Sequence, residues 1–106
     1  MAKYLFTARY LGKGVEGLMK EGGSARREAA SQALASLGGK LESFYFAFGD
    51  DDVVGIFEAP DVTSATAFSL AINAAGAVSM KLKPLILPEE VDAATKKKAT
   101  YRPPGG

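Results

Sequence analysis

The 106-residue chain contains neither cysteine nor histidine. Without cysteine it has no disulfide framework, thiolate metal site, redox switch or Cys nucleophile. The lack of histidine removes the commonest metal ligand, the commonest general base and the Ser/His/Asp arrangement. No run approaches the roughly 18 consecutive apolar residues of a membrane span, and Met1-Ala2-Lys3-Tyr4 does not begin a signal-peptide apolar core. A cytoplasmic location, away from membranes, is therefore expected. An excess of charge of one sign is also missing: 13 basic and 12 acidic side chains leave a formal charge of +1. That balance gives no broad field to attract nucleic acid or an anionic surface.

What is present suits one globular domain. The hydrophobic fraction is 47% and the charged fraction 24%, enough apolar material to bury a core. The length fits one domain and is too short for two independent cores. A domain of this size buries a modest share of its surface, so pairing with a second copy would add stability.

Periodicity gives the elements. Lys3 to Tyr10 alternates as a strand, with Tyr4, Phe6, Ala8 and Tyr10 on the more buried face. Leu11 to Gly23 is glycine-rich and is expected to be a mobile connection with at most one helical turn, its Val15, Leu18 and Met19 turned inward. From Ser24, taken as the N-cap, alanines and leucines recur at helical spacing until Gly38-Gly39 supplies a left-handed stop. Lys40 to Phe48 reads as a strand with Phe44, Phe46 and Phe48 on one face and Leu41, Ser43, Tyr45 and Ala47 on the other. Gly49-Asp50-Asp51-Asp52 turns the chain into a second strand, Val53 to Ala59. Asp61 caps another helix, whose stripe Ala65, Phe68, Ile72 and Ala75 has small residues that allow close approach to a sheet, and Gly76 ends it. Val78, Met80 and Leu82 mark the fourth strand. In the tail, Glu89, Glu90 and Asp92 precede Lys96, Lys97 and Lys98, the charge order that a helix dipole favours. Two units follow: a domain over residues 1–87, and a short C-terminal helix with a tail over 88–106 that a neighbouring subunit could hold.

The order strand, helix, strand, strand, helix, strand predicts an α+β domain of ferredoxin-like βαββαβ type. Two right-handed crossovers then place both helices on one face of a four-stranded antiparallel sheet. The other face is left uncovered and is not convincingly polar. A second copy packing there would form a dimeric α/β barrel, a homodimer or part of a larger oligomer.

The run Tyr45-Phe46-Ala47-Phe48-Gly49-Asp50-Asp51-Asp52-Val53-Val54, followed by Phe57-Glu58-Ala59-Pro60-Asp61, resembles the signature of the GYD domain family. Gly22-Gly23-Ser24-Ala25-Arg26-Arg27-Glu28-Ala29 and Leu37-Gly38-Gly39-Lys40 are similar to that family's first helix and its exit. The resemblance covers roughly Tyr4 to Leu87. Asp51 stands where the family's Gly-Tyr-Asp would place its tyrosine. The resemblance implies a ferredoxin-like fold related to dimeric α/β barrels, and supplies no established active site.

Several clusters invite a chemical interpretation. Gly12-Lys13-Gly14-Val15-Glu16-Gly17 matches G-x-G-x-x-G after a strand, but Gly22-Gly23 interrupts the required helix and the next strand does not end on an acidic residue, so a loop is favoured over a nucleotide site. Asp50, Asp51 and Asp52 crowd three carboxylates into one turn; adjacent side chains diverge, so a solvated turn is preferred to a metal site. Asp52 and Glu58 share strand parity about 20 Å apart, too far for paired acid and base work. The aromatic sheet could stack bases, yet near-zero charge and the acidic turn favour packing over nucleic acid. Arg26 and Arg27 open the first long helix against its dipole, which fits either an anionic ligand or a surface ion pair.

Two functions compete. In the first, a small hydrophobic or anionic molecule binds between sheet and helices, with no cofactor expected and catalysis left open. The ligand-binding candidates are Tyr10, Arg26, Tyr45, Asp52 and Glu58. In the second, the protein is a non-catalytic assembly or regulatory binding module. An apolar cavity reaching these side chains would favour the first, and a filled interior the second.

Overall fold

A computed structural model describes residues 1–106. Its first strand, β1 (Ala2–Tyr10), sets the architecture, because Tyr4, Phe6 and Ala8 are buried while Lys3 and Arg9 are exposed. β1 lies inside an antiparallel sheet that also contains β2 (Lys40–Phe46), β3 (Val53–Ala59) and β4 (Val78–Pro84), in the order β2-β3-β1-β4. The register aligns Phe6 with Gly55 and Leu82, and Tyr4 with Phe57 and Pro84. The apolar sides of all four strands thus reach one face.

The helices α2 (Gly23–Ser36) and α3 (Val62–Ala75) cover that face. Leu34 from α2, and Ala65 and Phe68 from α3, close the core over Tyr4, Phe6, Val53 and Phe57. Phe68 meets Phe57 and Phe6 edge-on, with centroids 5.1 and 6.5 Å apart, the arrangement that ring quadrupoles favour. At the end of α2, Gly39 N donates to Leu34 O and Gly38 N to Ala35 O, a Schellman stop that needs the positive φ of Gly38. None of the helices is long and apolar enough to cross a membrane.

Four local expectations need correction. The segment after β1 is not a mobile loop but a ten-residue helix, α1 (Gly12–Glu21), and Met19 on it is 83% exposed instead of turned inward, with Val15 exposed too. Tertiary contact overrides the poor helix propensity of its glycines: Gly14 is buried so close to the Ala77 carbonyl that a Cβ would overlap it. Ser24 does not cap α2, which starts at Gly23 from an N-cap at Gly22 with φ of 90°. In β2 a bulge at Glu42 places Leu41 opposite Phe57, on the same face as Phe44 and Phe46 and not with Tyr45. The strand ends at Phe46, and Phe48 leaves it with a φ of 49°.

The Asp61 cap is present. Its Oδ1 accepts from Ser64 N at 2.7 Å, and this bond holds the carboxyl below its ordinary value. A carboxylate with a depressed folded-state pKa stabilises the fold above the ordinary carboxylate range, and that contribution fades as pH falls through the folded value. Asp61→Asn keeps an acceptor that does not titrate. Its melting temperature should therefore fall less steeply than the parent's below about pH 4, as followed by circular dichroism.

Beyond β4 comes α4 (Pro88–Thr95), the expected terminal helix. No neighbouring element holds it: every residue from Lys83 to Gly106 is exposed.

Candidate functional site

Alanine lines both walls between the two covering helices. α2 contributes Ala29, Ala30 and Ala33, and α3 contributes Ala71 and Ala75. The helices lean on different strands, α2 on β2 and α3 on β4. Side chains this short cannot span the gap, which leaves a cavity of about 270 Å³ above Phe6, Ala8 and Val53. Fifteen of its sixteen lining residues are hydrophobic, and the other is Arg26. An occupant must therefore be apolar through most of its body, with any charge at the Arg26 end.

Arg26 and Tyr10 stand at that end. Both also line a smaller cleft against α1, together with Lys13, Glu21 and the glycines Gly14 and Gly17. The apolar cavity and the polar cleft thus meet at these two side chains. Arg26 Nη1 lies 3.6 Å from Glu21 Oε2, a loose pair that leaves the guanidinium able to face an anion. The first turn of α2 contains no acidic residue and its start has no side-chain cap, so its N–H groups add positive potential beside Arg26.

Tyr10 is half-buried, and its ring stacks on Phe46 at 6.2 Å. Burial pushes its phenol above the ordinary value, opposed by the adjacent Arg26 guanidinium and reinforced by Asp52 and Glu21. The phenol therefore stays protonated at neutral pH and offers a hydrogen bond, not a base. Asp52 is tied into this corner without lining the cavity: its Oδ2 accepts from Tyr10 N at 2.8 Å, and its own N donates to Ala8 O at 2.8 Å. It positions Tyr10.

The five residues singled out from sequence divide between the two faces of the sheet. Tyr10, Arg26 and Asp52 come together at the cavity end. Tyr45 pairs with Val54 on the opposite face and is 67% exposed, while Glu58 lies on that same face opposite Lys3 and Lys40. The sheet separates both from the cavity. Sequence reasoning misses the alanine walls: the small residues of α3 point to close approach to the sheet, and the alanines of α2 point only to an amphipathic helix.

With this geometry in view, residues 4–95 match the profile of the GYD domain. The chain belongs to the GYD domain family. No curated protein and no solved structure matches it. The matched GYD region runs to the last residue of α4, so the exposed helix lies within it. The acidic turn that carries the family resemblance contributes one engaged carboxylate, that of Asp52.

Proposed function

We propose that this GYD domain binds a small apolar acid between its sheet and helices, with the hydrocarbon body against the alanine walls and the anionic group at Arg26. The observation that carries this proposal is the lining of the cavity, fifteen apolar residues and one cation. Lys13 and the uncapped start of α2 favour the same sign of charge, and the protonated Tyr10 phenol adds a donor. Arg26 and Tyr10 can stabilise negative charge on a bound molecule, so binding is the primary role, and any catalysis would use that stabilisation.

The probe chosen is 1-naphthoate, titrated calorimetrically into the full chain. Arg26→Ala should weaken its binding by roughly tenfold to a hundredfold, the usual worth of a charged hydrogen bond. Equal affinity in the two proteins would refute the assigned polarity of the site.

A second role, self-assembly, is favoured by the uncovered sheet face. Leu5, Thr7, Val54 and Ile56 are adjacent at its centre and only half-buried. The strand order β2-β3-β1-β4 supports a ferredoxin-like assignment, and two such faces packed together would make a dimeric α/β barrel. The cavity lies on the other side of the sheet, so ligand binding and pairing are compatible.

A further inference from the structure

We propose that Leu85–Gly106 is an exchanged arm, which in the paired assembly lies on a second copy of the chain with its acidic start against cations on that copy's open sheet face. The inference rests on the pairing proposed above. Leu85 N donates to Lys3 O at 2.8 Å, and from there the chain leaves the domain. Leu85, Ile86, Leu87, Val91 and Tyr101 are all exposed, a concentration of apolar surface that a solvated tail does not need. The radius of gyration is 16.9 Å, against about 13 Å for a compact chain of this length.

Charge argues for the acidic start of α4 as the part of the arm that meets this face, with Lys96, Lys97 and Lys98 following at and beyond the helix end. On the open face, Lys81 lies beside Thr7, Lys83 beside Leu5, and Arg9 beside Ser79, and none of these three cations has an ion-pair partner. They border the apolar centre of the face along the β1 and β4 side. Glu58 on this face is set opposite Lys3 and Lys40, so two such faces packed together would cover Lys81, Lys83 and Arg9 with no counter-charge beside them, which opposes pairing unless an anionic group intervenes. α4 carries Glu89, Glu90 and Asp92, of which Glu90 closes the helix cap by accepting from Leu87 N, leaving Glu89 and Asp92 free. Neither Lys81 nor Lys83 pairs with a carboxylate of its own arm. In an isologous pair, each arm can instead supply the counter-charge at its partner's rim.

The test is sedimentation of the full chain at low and high salt. Glu89→Lys/Asp92→Lys, which spares the cap, should weaken self-association roughly tenfold at low salt, and so should Lys81→Glu/Lys83→Glu. Combining all four substitutions should restore it. Carbodiimide coupling in a mixture of isotopically light and heavy protein should join Glu89 of one label to Lys81 or Lys83 of the other. A monomeric parent would overturn the pairing and the arm together. A stable parent dimer indifferent to the arm substitutions, unrestored by the fourfold variant, or coupled only within one label would overturn the arm alone.

Discussion

Gly55→Ala is expected to cost about 3 kcal/mol of stability and to lower the melting temperature by roughly 15 °C. Gly55 sits in β3 on the helix-covered face, directly beneath the Phe6 ring. A Cβ there would overlap the Ser43 carbonyl oxygen and lie 2.6 Å from two ring carbons of Phe6. The carbonyl belongs to the neighbouring strand and cannot retreat without loosening the sheet. Phe6 packs among Phe44, Phe57 and Phe68 and can yield only toward the cavity above it, so the fixed carbonyl sets most of the cost. Gly49→Ala provides the control: nothing lies within 4 Å of its added methyl, and thermal denaturation should leave it within about 0.5 kcal/mol of the parent. Equal melting temperatures for the two variants would contradict the packing described for the sheet centre.

Ala30→Leu should have the opposite effect on stability and the largest effect on binding. Ala30 is half-buried on the α2 wall, and a leucine there fills space that the shorter side chain leaves vacant. Filling a cavity with apolar atoms typically adds about 1 kcal/mol, so the melting temperature should rise slightly. The same atoms take the volume that the naphthalene ring needs, and calorimetry should detect no heat of 1-naphthoate binding. A more stable protein that no longer binds distinguishes an occupied cavity from a damaged fold. If the variant is stabilised and binds as before, the ligand sits elsewhere.

The legible part of the fold was whatever depends on alternation and on turn chemistry. Tyr4, Phe6 and Ala8 in β1 declare their buried face by period alone. Asp61 and Gly76 mark the limits of α3 because a cap acceptor and a left-handed residue are local requirements. The helix α1 was not legible. Its glycines argue against a helix, and the contact that favours one, Gly14 on Ala77, joins residues far apart in the chain. The bulge at Glu42 escaped for a related reason: one extra residue reverses the parity of Leu41 without changing composition.

The candidate site was half legible. Tyr10 and Arg26 were found by residue type and charge placement, and they do meet at the cavity. Tyr45 and Glu58 were chosen by the same criteria but belong to the other face, because a strand sends successive side chains to opposite sides. The cavity itself follows from the separation of α2 and α3, and alanine stripes are equally compatible with helices that touch and helices that do not. Helix spacing is fixed by packing on different strands, a property of the assembled domain and not of either segment.

Methyl-labelled nuclear magnetic resonance with 1-naphthoate tests the binding claim most directly. Addition of the acid should shift the methyl signals of Ala29, Ala30, Ala33 and Met80, which line the cavity. Val54 and Ile56, across the sheet, should stay unmoved. Shifts confined to Val54 and Ile56, or no shifts at all, would contradict a binding site between the sheet and its helices.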